Sequence, residues 1–231
     1  MHNFSQFEKK INIEFKDRTL LKQAFTHRSY LNENKTAGLE HNERLEFLGD
    51  AVLELVATQF LYAKYPEKHE GDLTAFRSAL VNTNSLSTVA AELGMNDYLL
   101  LSKGEAKDTG RARGIILADT MEALIGAIYM DQGYDTAKHF IETYVFEFLN
   151  IESIIKNKLW MDAKSRFQEE AQEHVGITPS YRTLKETGPD HDKHFTLGVF
   201  LGDKQVAIGD GPSKQEAEQK AAENALKVKG W

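Results

Sequence analysis

Cysteine is absent from all 231 residues, which excludes disulfides, thiol nucleophiles and every zinc site built on thiolates. A reducing cytoplasm is the compartment this composition suits. Proline is rare, with 4 residues, and glycine reaches only 16, so the chain is neither collagenous nor of low complexity. No run nears the ~18 consecutive apolar residues of a membrane-spanning helix. The start, Met1-His2-Asn3-Phe4-Ser5-Gln6, lacks the basic and apolar stretches of a secretory signal. A soluble, cytoplasmic protein with no membrane partner is therefore expected.

Positive charge is also scarce: 28 Lys and Arg stand against 35 Asp and Glu, a net charge of −7. The shortage is uneven. Residues 1–155 hold 16 basic and 23 acidic side chains, whereas residues 156–231 hold 12 of each. A solvated acidic surface would give this, and so would a site that gathers carboxylates around a metal; the positions of the acids must discriminate. With 41% hydrophobic and 27% charged residues, the chain otherwise has the makeup of a folded globule, long enough for one large domain or two modest ones.

Apolar spacing is mostly helical up to residue 155: Leu20, Leu21, Ala24 and Phe25, then Leu45, Leu48, Val52 and Val56, then Leu124, Ile128 and Met130. An all-α domain is expected over 1–155, with loops at 32–38, at Tyr65-Pro66 and over the glycine-bearing stretch 103–114. Residues 156–161 read as a linker. The rhythm then changes. A helix over 162–173, with Ala163, Phe167 and Ala171 on one face, stops before Gly176. Alternation predicts strands over 181–186, 194–201 and 205–208. Ser213-Lys214-Gln215-Glu216 has the form of a capping box, opening a last helix with the stripe Ala217, Ala221, Ala225 and Val228. The second domain, 162–231, is thus α+β in the order α-β-β-β-α.

Within Asn42-Glu43-Arg44-Leu45-Glu46-Phe47-Leu48-Gly49-Asp50, the acids Glu43, Glu46 and Asp50 fall at i, i+3 and i+7, one face of a helix. Apolar neighbours make that helix largely buried, where unpaired carboxylates cost several kcal/mol each unless a cation compensates. A second apolar segment, 115–129, sets Asp119 and Glu122 at i and i+3. Packed together, the two helices would converge Glu46, Asp50, Asp119 and Glu122 into an all-oxygen site suited to Mg2+ or Mn2+. The alternative is that Arg44, Arg77 or Arg111 neutralises these acids. A divalent ion so held would suit phosphodiester hydrolysis, which needs no side-chain nucleophile. Neither a zinc-protease helix motif nor a phosphate-binding glycine loop is present, and no small organic cofactor is implied.

The run from Asn42 to Asp50 closely resembles the signature of the ribonuclease III family in its bacterial form. Ala24-Phe25-Thr26-His27-Arg28-Ser29-Tyr30, Glu70-Gly71-Asp72-Leu73-Thr74 and the segment 117–129 resemble the same family in the same order, so the likeness covers nearly the whole chain. It implies that Glu46, Asp50, Asp119 and Glu122 are the magnesium-binding acids, with Asp50 and Glu122 assigned to catalysis and Glu43 and Glu70 as auxiliary acids. The tail resembles a double-stranded RNA-binding domain through its phenylalanine-bearing first helix, Gly188-Pro189-Asp190-His191 and Ser213-Lys214. Gln168, Glu169 and His191 then match minor-groove contacts, and Ser213 and Lys214 suit phosphates at a helix N-terminus. Gln215 and Glu218 depart from the pattern, standing where related domains often carry basic residues.

The resemblance further implies a homodimer, since one acidic cluster per chain must serve two antiparallel strands. Phe47 matches an aromatic that plugs into the partner subunit. The implied activity is endonucleolytic cleavage of double-stranded RNA, leaving 5′ phosphates, 3′ hydroxyls and staggered ends, in the processing of ribosomal, messenger and transfer RNA precursors. The competing reading is a family member that binds and regulates duplex RNA without cutting it.

Overall fold

The two longest helices, α4 (Glu43–Lys64) and α7 (Arg111–Gln132), organise the first half of the chain in a computed structural model. The structure describes residues 3–36, 38–107, 109–158, 160–189 and 193–231. Around this pair lie α1 (Phe4–Ile11), α2 (Arg18–Ala24), α3 (Arg28–Glu33), α5 (Glu70–Leu80), α6 (Thr83–Glu92) and α8 (Tyr134–Phe140). A π-helical turn (Ile141–Phe146) leads into the short helices α9 (Glu147–Leu149) and α10 (Ile151–Lys156).

Helix α7 is apolar nearly all round, as a helix enclosed by others must be. Met121, Leu124, Ile125 and Ile128 are fully buried on it and meet Leu53, Val56 and Ala57 of α4 and Leu86, Val89 and Ala90 of α6 in one core. Each large side chain so buried stabilises the unit by about 1.5–3 kcal/mol. Phe4, Phe7, Phe25 and Tyr98 close one end as an aromatic cluster with centroids 5.0–6.0 Å apart. Met130 does not join the core, being 58% exposed in the last turn of α7 before the chain turns at Gly133. The loop expected over 103–114 ends early: Arg111 to Gly114 already belong to α7, with Gly114 lying against Ser87 of α6. Likewise Asn32 and Glu33 complete α3 instead of opening a loop.

The chain divides into two compact units, Met1–Asn157 and Lys158–Trp231. In the second, α11 (Ala163–Val175) is capped by Asp162, whose carboxylate accepts the N–H groups of Lys164 and Ser165, and it stops at the left-handed Gly176. Three antiparallel strands follow in the order β1-β2-β3: β1 (Ser180–Thr187), β2 (His194–Leu201) and β3 (Lys204–Gly211). A bulge between Thr183 and Lys185 interrupts the first ladder. Helix α12 (Lys214–Lys229) begins at Ser213, whose Oγ accepts the Glu216 N–H at 3.1 Å. Phe167 and Ala171 of α11, Val199 and Leu201 of β2 and Ala221, Ala222 and Ala225 of α12 form the second core. Val228, expected on that stripe, is 68% exposed. Leu226 turns inward in its place, and Trp231 folds back to stack on Phe167 at 5.6 Å, closing that end.

Candidate functional site

Helices α4 and α7 touch backbone to backbone, and two glycines make this possible. A Cβ on Gly49 would lie 1.7 Å from the Glu122 carbonyl oxygen, and one on Gly126 would lie 2.2 Å from the Leu45 carbonyl oxygen. No residue but glycine fits at either crossing point. Gly49 stands between Glu46 and Asp50, and Gly126 one turn after Glu122, so the closest approach of the helices is also where their acids face each other. Carboxylate oxygens of Glu46, Asp119 and Glu122, all half-buried, lie within 4.8 Å of one another. Asp50, one turn on from Glu46, is exposed and stands outside this triad.

The triad is short of positive charge. Among the described residues, no Lys, Arg or His nitrogen lies within 4.0 Å of the carboxylates of Glu46, Asp50, Asp119 or Glu122. Arg77 is occupied by Glu54 at 2.9 Å and by the Thr58 hydroxyl, while Arg44 and Arg111 form no ion pair among the described residues. Structural neutralisation by these arginines is therefore absent. The electrostatic result is strain: burial, reinforced by Asp50, Asp119 and Glu46, pushes the Glu122 carboxyl up to about 8. Glu46 is raised by burial and by Asp119, Glu43 and Asp50; Asp119 is raised by burial, with His27 opposing. Oxygen-only donors, convergent and unpaired, fit a hard divalent cation.

Glu43 sits differently. It is exposed, 3.7 Å from both Arg28 and His41, and does not enter the triad. Glu70 begins α5 and lines a groove of about 470 Å³ with Tyr62, Leu73 and Arg77, away from the triad within the same chain.

Asn42 and His27 are two supporting residues whose roles the sequence pattern does not disclose. Asn42 is buried, donates its N–H to Thr26 and its Nδ2 to the Ala24 carbonyl, and its own carbonyl accepts the Glu46 N–H at 2.9 Å. It thereby fixes the start of α4 to the α2–α3 turn. In that turn His27 caps α3, with Nδ1 accepting the Ser29 N–H and 2.8 Å from the Ser29 hydroxyl. Burial holds the His27 pKa below its ordinary value.

In the second unit, Gln168 and Glu169 are exposed on α11. Glu169 is engaged by Lys158 at 3.3 Å, and the same ammonium reaches Glu170 at 3.1 Å. Ser213 is committed to capping α12, and Lys214 beside it is exposed, its Nζ 5.7 Å above the Phe195 ring. His191 lies outside the described residues. Glu218, the acid that departs from the family pattern, pairs with Lys164 of α11, and Gln219 donates to Asp162. These two contacts tie the N-terminal ends of α11 and α12 together, which is a structural use for an acid at that place. Phe47 projects from α4 at 82% exposure, and Tyr62 further along the helix at 75%.

A family model described as Ribonuclease-III-like matches residues 17–149, and one described as double-stranded RNA binding motif matches residues 163–229. The chain is 47% identical to the Ribonuclease 3 of Bacillus velezensis over 226 residues, 98% of this chain and 90% of that protein. It is 44% identical to the Ribonuclease 3 of Enterococcus faecalis over 223 residues, 96% of each. Among solved structures, the nuclease domain of ribonuclease III from Campylobacter jejuni matches with a TM-score of 0.58 and 40% identity, covering 63% of this chain and 97% of that one. No described helix is long and apolar enough to cross a membrane.

Proposed function

The chain belongs to the ribonuclease III family, and from that membership we propose that it is an endoribonuclease for double-stranded RNA whose hydrolysis depends on Mg2+, or Mn2+, held by Glu46, Asp50, Asp119 and Glu122. The observation that carries the reading is the triad of Glu46, Asp119 and Glu122, convergent within 4.8 Å and without a cationic partner among the described residues. A divalent cation, when bound, supplies the positive charge that acidifies an attacking water and neutralises the leaving oxygen of the phosphodiester. The chain's own residues prepare that place. Gly49 and Gly126 hold the two helices close enough for the acids to converge, and Asn42 anchors the turn that carries Glu46. Burial and the neighbouring carboxylates raise the Glu122 carboxyl to about 8, and a ligating carboxylate must be deprotonated, so ion binding is coupled to proton release. Asp50, one turn on from Glu46, is open to solvent. The hydrolysis leaves 5′ phosphates and 3′ hydroxyls.

Duplex RNA is gripped by the second unit, whose α-β-β-β-α order suits reading of A-form shape across minor grooves. Gln168 and Glu169 of α11, with His191, serve minor-groove contact, and Ser213 and Lys214 serve phosphate contact at the N-terminus of α12. Two chains act together about a two-fold axis. The exposed Phe47 and the α4–α5 groove are complementary parts of a contact between like surfaces, and the Campylobacter jejuni nuclease domain is described as having a region involved in dimer formation. Docking Phe47 of one copy in the groove of the other would bring the groove's Glu70 toward Glu46 of the copy that supplies Phe47.

The test is Glu122→Gln. Cleavage of a long RNA duplex in Mg2+ is expected to be lost while duplex affinity stays near that of the natural chain, because a ligand's charge is removed and the second unit is untouched. Near-normal turnover of the variant would overturn the assignment.

A further inference from the structure

Along α7, Arg111, Ile115, Asp119 and Glu122 recur at i, i+4, i+8 and i+11, which places all four on one stripe of the helix. Arg111 thus precedes Asp119 by about 12 Å along the axis at ~1.5 Å per residue. That is too far to neutralise the acids, yet on the surface they share. Its guanidinium is exposed and makes no ion pair among the described residues, in a half of the chain where acids outnumber bases 23 to 16. It lines a cleft of about 500 Å³ whose other walls include Thr83, Asn84 and Ser87 of α6 and Gly114 and Ile115 of α7. None of these lining residues is acidic. Hydroxyl and amide groups stand on one side, Ile115 at 46% exposure supplies an apolar surface on the other, and Gly114 adds no side chain to the space between. A guanidinium facing neutral polar groups beside an apolar patch matches a sugar-phosphate unit: the anionic oxygens take the fork and the ribose takes the apolar surface.

We propose that this cleft holds a backbone phosphate of the RNA flanking the one that meets Glu46, Asp119 and Glu122, with Arg111 as its ligand. The inference rests on the double-stranded RNA endonuclease reading above and adds a substrate-binding residue to it. Without such a contact an acid-rich surface repels the duplex backbone on both sides of the reacting bond. With it, the strand is drawn along α7 so that the reacting phosphate lies over the triad.

Full-length protein tests this with a short RNA duplex cut at one place. Arg111→Ala is expected to lower kcat/KM by about tenfold or more, the worth of a charged hydrogen bond, mainly through KM. Arg111→Lys is expected to recover part of the loss, keeping the charge and losing the fork. Replacing flanking phosphates one at a time by neutral methylphosphonates should reveal one position that slows the natural chain by a similar factor and leaves Arg111→Ala unaffected. A direct phosphate contact also predicts that, in chelator, the slope of log affinity against log salt falls by about one in Arg111→Ala. Unchanged kinetics and salt slope in Arg111→Ala, or methylphosphonate effects that are the same in both proteins at every position, would overturn the proposal. If the natural chain fails to cut the unmodified duplex, the nuclease reading is at fault, and the salt slope still decides whether Arg111 holds a phosphate.

Discussion

Replacing Glu122 by Gln is expected to stabilise the metal-free protein at alkaline pH even as it abolishes cleavage. The folded-state pKa of Glu122 is about 8 against an ordinary 4.5, so between those values the folded chain keeps a proton that the unfolded chain has released. Stability of the natural chain therefore falls as pH rises through this window and levels off above it. Gln carries no such charge. Taken in full, the shift corresponds to about 5 kcal/mol. Water reaches this half-buried carboxyl, and screening reduces the expected gain to about 2 kcal/mol. The gain should be near zero below pH 4.5 and complete above pH 8. Denaturant unfolding in EDTA, followed by far-UV ellipticity that the helical first unit dominates, measures it directly. Saturating Mg2+ should shrink the difference, because an ion bound only to the folded natural chain stabilises it by mass action. A Gln variant that is less stable than the natural chain at pH 8 in EDTA, or equally affected at both ends of the pH range, would refute the picture of strained, unpaired acids.

Gly49→Ala forces a Cβ to 1.7 Å from the Glu122 carbonyl and must part α4 from α7, so a loss of about 3 kcal/mol together with cleavage is expected, read from the unfolding midpoint and a duplex assay. Wild-type stability in that variant would contradict the close crossing. Ser213→Ala removes the cap of α12 and should cost the second unit about 1 kcal/mol. Tryptophan emission reports this selectively, since Trp160 and Trp231 are the chain's only tryptophans and both lie in that unit. Phe47→Asp places a charge on the most exposed aromatic of α4 and should shift sedimentation toward single copies, whereas an unchanged sedimentation coefficient would remove Phe47 from the dimer contact.

The acids were legible because helical spacing is local: Glu46 on one segment and Asp119 and Glu122 on another each obey the i, i+3 rule within a single turn. That the two segments pack together was not readable from spacing, since the crossing is a tertiary event. Its signal lay in Gly49 and Gly126, one inside each acid-bearing segment, where a helix otherwise has no use for glycine. Asp50 shares a stripe with Glu46 in sequence, yet four residues exceed one 3.6-residue turn by about 40°, and Asp50 is exposed where Glu46 is half-buried. The meander was legible because Phe195, Leu197, Val199 and Leu201 recur at every second position of β2, whereas β1 is exposed along nearly its whole length and the ends of β1 and β3 are set by backbone pairing and not by burial. The pairing of Glu218 with Lys164 joins residues 54 apart in sequence, and no local pattern announces it.

The central claim is that a divalent ion among these carboxylates makes the chain a nuclease for duplex RNA. The most direct measurement incubates the full chain with an end-labelled long RNA duplex in Mg2+, in EDTA, and in EDTA followed by excess Mg2+. Cleavage is expected in the first, none in the second and recovery in the third, with 5′ phosphates on the new ends. A duplex cut equally well in EDTA, or bound in Mg2+ and Mn2+ alike without being cut, would contradict the account.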